Sequence, residues 1–214
     1  MQHNIKVAVI GGTGKSGKYL VKALIKQGFQ IKLLLRNPAN FQSNHPKVEI
    51  INGNVNDYKA VSTLVKGCTV LISALGLGIP ASETDIFSQA TQNIIKALAI
   101  EEIERYIVIA GLNVDTPFDE KGPETKIGTE WMYANYPKST ADRQKEYDIL
   151  SVSNLKWTLI RLPLIIQNDE LTEIKVDLKD CPGKQINAAN LANFLIEQIT
   201  DDTYIKFAPF ISNL

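Results

Sequence analysis

The residues best suited to chemistry lie within the first 36 positions. The apolar run Val7-Ala8-Val9-Ile10 feeds into Gly11-Gly12-Thr13-Gly14-Lys15-Ser16-Gly17. After a helix-compatible stretch, a second apolar run, Ile31-Lys32-Leu33-Leu34-Leu35, ends on Arg36. This order is strand, glycine turn, helix, strand, cation, and each part suits a dinucleotide. Gly11 allows a tight turn, Gly14 lets the backbone approach a pyrophosphate, and Gly17 lets the helix lie close to the sheet. The N–H groups at the helix start, with its positive dipole end, face the phosphates. Thr13, Lys15 and Ser16 share that turn and complete the candidate phosphate set.

A P-loop is the rival for the same residues. It requires G-x-x-x-x-G-K followed by a small hydroxyl residue that ligates Mg²⁺. Counted from Gly12, the match reaches Gly17 and Lys18 and then meets Tyr19; through Gly14-Lys15-Ser16 it needs a glycine where Val9 stands. Each register fails at one essential position, which leaves an NTPase or kinase as a minor alternative.

The elements that must position this cluster follow along the chain. Strands are expected at Lys6–Ile10, Gln30–Arg36, Val48–Asn52, Thr69–Ala74, Tyr106–Ala110 and Thr158–Arg161. Helices are expected at 16–27, 58–66, 84–100 and 140–152. Short apolar strands separated by helices indicate a parallel sheet covered on both faces, and right-handed crossovers make it doubly wound. The expectation is a Rossmann-type α/β fold, with residues 1–214 as a single domain. Towards the carboxyl end the pattern suggests a strand or hairpin over 171–178, a helix over 187–199 and a late strand over 204–207. Ligands in such sheets sit beyond the carboxyl ends of the strands. Segments 76–82, 111–128 and 163–183 are therefore the candidate substrate walls.

Bulk properties narrow the function classes. Among 214 residues, 23 Lys and Arg balance 23 Asp and Glu, so no basic excess argues for nucleic acid or a membrane surface. The opening Met1-Gln2-His3-Asn4 leads straight into a strand, with no room for a signal peptide, and no apolar stretch approaches a membrane span. Cys68 and Cys181 show no metal spacing, and His3 and His45 have no evident acidic or cysteine partner. A cytoplasmic, metal-free protein is expected.

At this point the chain resembles the atypical short-chain dehydrogenase/reductases, the NAD(P)H-binding group that includes NmrA-like proteins and the flavin/biliverdin-IXβ reductases. The likeness covers nearly the whole chain. It rests on G-G-T-G-K-S-G at the first turn, L-L-R-N-P after the second strand and I-N-G-N-V-N-D after the third. V-L-I-S-A-L-G at the fourth and S-N-L-K-W-T-L-I-R-L-P around the sixth complete it. In that group the third station usually reads G-D-x-x-D, with its first aspartate beside the adenine. The resemblance thus implies that Asn54, followed by Val55, lies there, able to hydrogen-bond but uncharged. The end of the fourth strand, Ser73-Ala74-Leu75-Gly76, is expected along the ribose and nicotinamide.

Cofactor choice can be read at the second strand. NAD selection normally uses an acidic residue about 20 positions past the glycine motif. No Asp or Glu occurs from Gly11 through Val48, and the strand ends in Arg36-Asn37-Pro38. Arg36 offers a planar cationic fork to a 2′-phosphate. NADP(H) is the expected cofactor, ahead of NAD(H).

Catalysis departs from the large family's plan, in which a Tyr acts as general acid with a Lys one helical turn later. None of the seven tyrosines has a lysine four residues on. The motif around the sixth strand places the family's Lys near Arg143 and its Tyr near Ser139. The fifth strand reads Ile109-Ala110-Gly111-Leu112 where a Ser would lie. Two readings stay open. One is a reductase of a planar small-molecule acceptor of flavin or quinone type, with Trp131, Met132, Tyr133 and Tyr136 as candidate stacking residues. The other is a non-catalytic NADP(H) sensor acting on a protein partner, as NmrA-like proteins do. A deep slot beside the nicotinamide would favour the first, and an exposed apolar helix face the second.

Overall fold

Parity along each strand decides which side of the sheet its residues cover. On β1 (Lys6–Ile10), Ala8 and Ile10 point to one face while Val7 and Val9 point to the other. The computed structural model describes residues 5–41, 45–77 and 81–214, with Asn40 described by its backbone alone. His3, the opening segment Met1–Asn4 and the middle of the 76–82 wall lie outside the described residues.

The next elements are α1 (Gly17–Lys26), β2 (Gln30–Leu35), β3 (Val48–Asn52), α2 (Tyr58–Val65), β4 (Val70–Ser73) and α3 (Ile86–Ile100). Then come β5 (Arg105–Gly111), α4 (Pro123–Asn135), α5 (Pro137–Ser151), β6 (Lys156–Leu162), β7 (Leu164–Ile166) and β8 (Ile174–Asp177). The chain closes with β9 (Gln185–Asn187), α6 (Ala188–Glu197) and β10 (Phe210–Asn213). The main sheet has eight strands in the order β3-β2-β1-β4-β5-β6-β10-β8. All its pairs are parallel except β10 with β8. Strands β7 and β9 form a separate parallel pair.

This is the doubly wound Rossmann-type sheet expected from the sequence. Helices α2, α3 and α5 cover one face, over a core that includes Ile10, Leu71, Ile94 and Val108. Helices α1 and α6 cover the other, over Val9, Leu33, Ile72 and Ile107. The chain reverses direction of travel between β1 and β4, the place where open α/β sheets leave a crevice for ligands.

One expectation fails. The late strand is not at 204–207. That segment is a turn touching Thr158 through one bridge at Phe207, with Lys206 at φ 60°, and the strand lies at Phe210–Asn213. A positive φ at Lys206 breaks the extended run, and the pairing resumes beyond Pro209. The 111–128 wall also runs into a helix that the sequence pattern does not mark, α4, which begins at Pro123. Only Thr125 of α4 is fully buried, so the helix lacks the apolar stripe by which a sequence reveals one. Pro137 likewise starts α5 a turn earlier than expected, at a position suited to proline.

Candidate active site

The glycine turn is built against the end of β4. Gly11 adopts φ +75°, and a Cβ there would strike the Ala74 carbonyl oxygen. A Cβ on Gly17 would strike the Gly11 carbonyl oxygen, so the start of α1 is pressed onto the turn. Gly14 differs: a Cβ would approach only the Gly11 oxygen, at 3.2 Å. Its outer side is open. Thr13, Gly14 and Lys15 are exposed and Ser16 is buried, and the Ser16 side chain does not cap α1. An uncapped helix start under an open, side-chain-free turn fits a pyrophosphate.

The neighbouring strand end is fixed by the same contacts. The Ala74 N–H donates to the Ile10 carbonyl at 2.9 Å, which aligns the two strand ends. Ser73 is buried, Leu75 is half-buried, and a Cβ on Gly76 would meet nothing within 4 Å among the described residues.

Two further expected contacts flank this crevice. Arg36 is exposed at the end of β2 and donates through Nη1 to the Ser82 hydroxyl at 3.0 Å, joining the β2 end to the segment before α3. Asn54 is exposed, and its Oδ1 accepts from the Asn56 N–H at 3.2 Å, which holds the turn after β3 and leaves one lone pair. Val55 is buried, and its carbonyl accepts from Asn93 Nδ2 at 3.0 Å. The sequence-expected residues thus gather along the carboxyl ends of β1, β2, β3 and β4.

A profile of the NAD(P)H-binding family matches residues 11–202. The chain belongs to that family. The ceramide reductase of Caulobacter vibrioides is 33% identical over 94 residues, 44% of this chain and 29% of the relative. The photosystem II assembly factor Ycf39 of Trieres chinensis is 23% identical over 184 residues, 82% of this chain and 57% of the relative. The matched stretches therefore span from about a quarter to somewhat over half the length of these curated relatives.

Solved structures agree on the fold. A short-chain dehydrogenase/reductase from Veillonella parvula in complex with NADP superposes with a TM-score of 0.80 at 18% identity, covering 98% of this chain and 94% of that one. The anaerobilin reductase ChuY of Escherichia coli O157:H7 gives 0.79 at 14% identity, covering 97% of each chain. Membership of the NAD(P)H-binding family removes the P-loop reading.

On α5, the positions that counting from the sixth-strand motif sets near a Tyr–Lys pair, Ser139 and Arg143, hold a different device. Ser139 donates to the Tyr136 carbonyl at 3.3 Å and faces no lysine one turn on, but Arg143. Arg143 is buried. Its Nη2 donates to the Leu75 carbonyl at 2.5 Å, its Nη1 pairs with Glu146 at 2.5 Å, and its guanidinium lies 3.4 Å from the centre of the Phe87 ring. Glu146 also accepts from the Thr91 hydroxyl at 3.1 Å, and burial pushes its carboxyl above the usual range against the pull of Arg143. Asp142, one turn before Glu146, accepts from the N–H groups of Phe87 and Ser88 at the start of α3. Sequence reasoning missed Asp142 and Glu146. Their signal was present as a polar stripe at helical spacing, Ser139, Asp142, Arg143 and Glu146, which is the buried face of α5.

Two of the segments expected as walls, 111–128 and 163–183, meet at Arg161. This fully buried residue of β6 pairs with both oxygens of Asp119 at 2.7 Å. It also donates to the carbonyls of Val114, Leu178 and Ala208 and stacks on Phe210 at 3.5 Å. Lys121 joins Asp119 and Asp115 beside an open depression of about 370 Å³. Trp131, Tyr133 and Tyr136 are exposed, and Trp131 meets Tyr136 edge-on at 5.8 Å. They form neither a core cluster nor a closed slot. Among the described residues no group of three or more His, Cys, Asp or Glu is placed to hold a metal ion, and no helix is long and apolar enough to cross a membrane.

Proposed function

We propose that the chain is an NADPH-dependent reductase of a planar acceptor of the flavin or quinone type. The observation that carries this reading is Arg143. Counting back from the sixth-strand motif sets the larger family's lysine near it, and its guanidinium is committed to Leu75, Glu146 and the Phe87 ring. An arginine so engaged does not lower the pKa of a neighbouring hydroxyl acid, and Ser139 supplies none. A reaction run here needs an acceptor whose proton comes from water, so alignment carries the catalysis.

In this reading the bound dinucleotide supplies the hydride. The chain's own residues bind and orient it: the turn from Gly11 to Gly17 cradles the pyrophosphate, with Thr13, Lys15 and Ser16 beside it. Asn54 and Val55 flank the adenine, and the segment from Ser73 to Gly76 borders the ribose and nicotinamide. Arg36 reads the 2′-phosphate, since no carboxylate between Gly11 and Val48 is available for a free ribose. Support also comes from the reductase names of similar proteins, ceramide reductase and anaerobilin reductase.

One observation favours the second reading, a non-catalytic NADP(H)-sensing protein of NmrA-like type. Helix α4 exposes Ile127 and Trp131 four residues apart, with Tyr136 at its end, a face of the sort a protein partner covers. The test is NADPH oxidation against flavins, quinones and aldehydes, with cofactor affinity measured alongside. Turnover of a flavin or quinone supports the reductase. Tight NADPH binding without turnover of any acceptor transfers support to the sensor.

A further inference from the structure

Asn113 lies two residues beyond β5 and is wholly buried, yet half of its amide is unpaired. Its Nδ2 donates to the Thr140 carbonyl on α5 at 3.1 Å, while its Oδ1 has no hydrogen-bond partner among the described residues. Exchanging the amide ends would set oxygen against the Thr140 oxygen, so this bond fixes which end points where. A buried acceptor without a donor is costly, and one retained in a folded chain calls for a physical reason.

Its surroundings supply one. A Cβ on Gly111 would stand 2.6 Å from Asn113 Oδ1 and 2.7 Å from Met132 Cε. The carbonyl and the thioether therefore share one small space over the glycine that ends β5. Gly111 and Met132 are both partly exposed, so this space borders solvent at the ligand end of the sheet, next to the strand that carries Ser73. The Met132 methyl flanks that same point and offers Oδ1 no proton. An unbranched methionine side chain is easily moved aside. One turn earlier on α4, the Thr129 hydroxyl is a second buried polar atom without a partner.

We infer that Asn113 Oδ1 is the anchor for an N–H group on the ring of the hydride acceptor, with Met132 as its displaceable cover. The inference rests on the reductase reading and narrows the acceptor to a planar ring carrying an imide or lactam N–H. A quinone presents only carbonyl oxygens and leaves Oδ1 unpaired.

The test compares lumiflavin, 3-methyllumiflavin and menadione on the wild-type chain. Binding is measured with NADP⁺ present, and turnover with NADPH. Lumiflavin should bind and turn over roughly tenfold or more better than its N-methylated twin, because a site built for a donor rejects an analogue lacking it. In Asn113→Leu that preference should fall towards one. The wild-type comparison needs no variant to fold, so it stands alone if Asn113→Leu is unstable. Equal handling of the two flavins by wild type overturns the anchor and leaves the reductase intact. Failure of all three rings to bind or react overturns both.

Discussion

Arg143 donates to the main-chain carbonyl of Leu75 at 2.5 Å, so helix α5 holds the end of β4 in place. The same guanidinium is the only cation in contact with the buried Glu146 carboxylate among the described residues. Strand end, helix and buried charge form one mechanical unit.

Removing half of that unit exposes its energetics. Arg143→Ala leaves a buried carboxylate unpaired and should cost about 3–5 kcal/mol. Arg143→Ala with Glu146→Gln should recover much of it. The pH profile gives an independent check. Glu146 has its folded pKa raised by burial, so the folded chain holds this proton more tightly than the unfolded one. Its contribution to stability is therefore greatest at pH below the unfolded value and declines as pH rises through the folded value. Thermal melts across that window should show the decline in wild type and a flatter profile in Glu146→Gln.

Gly14→Val should fold and lose NADPH. A Cβ at this position meets only the Gly11 oxygen, at 3.2 Å, whereas at Gly11 or Gly17 it would strike backbone directly. Retained NADPH affinity in the folded variant, measured by titration calorimetry, would remove the pyrophosphate from this turn.

Arg36→Ala should weaken NADPH much more than NADH, by roughly 1.5–3 kcal/mol for a lost charge-assisted bond. Ser82 would lose its donor in the same variant, so paired titrations with the two cofactors are needed. Equal losses would show that Arg36 supports the loop and does not read the phosphate.

No single Tyr→Phe change should abolish reduction. Tyr133 and Tyr136 come first because they precede α5. Both are exposed, and Tyr136 leans on Trp131. Losses of about tenfold or less fit positioning, while a fall of ~10²–10⁴-fold is the signature of a general acid and would contradict the proposed mechanism.

How much of this was legible depends on what each element buries. β1, β2 and β4 read cleanly because both faces are covered and their residues are almost all apolar. The glycine turn read cleanly because its backbone demands leave few residue choices. Helix α4 was invisible: its apolar residues, Ile127 and Trp131, face outward and its inner contacts are Thr125, Gly128 and Met132. Helix α5 was found but its meaning was hidden, since polar residues fill the face that patterning assigns to solvent. Asn113 gave no signal at all, because an unpaired amide oxygen becomes conspicuous only when its burial is known.

The clasp at Arg161 bears on how such a chain diversifies. One side chain holds the segments that carry Val114, Asp119, Leu178 and Ala208, which come from three separate stretches of sequence. A lengthened wall on any one of them must still return its carbonyl or carboxylate to the same five-donor fork. Grafting a relative's specificity loop onto this scaffold therefore means transplanting its clasp partners as a set. Variation at the tips of these loops is unconstrained by the clasp, while their roots must change together.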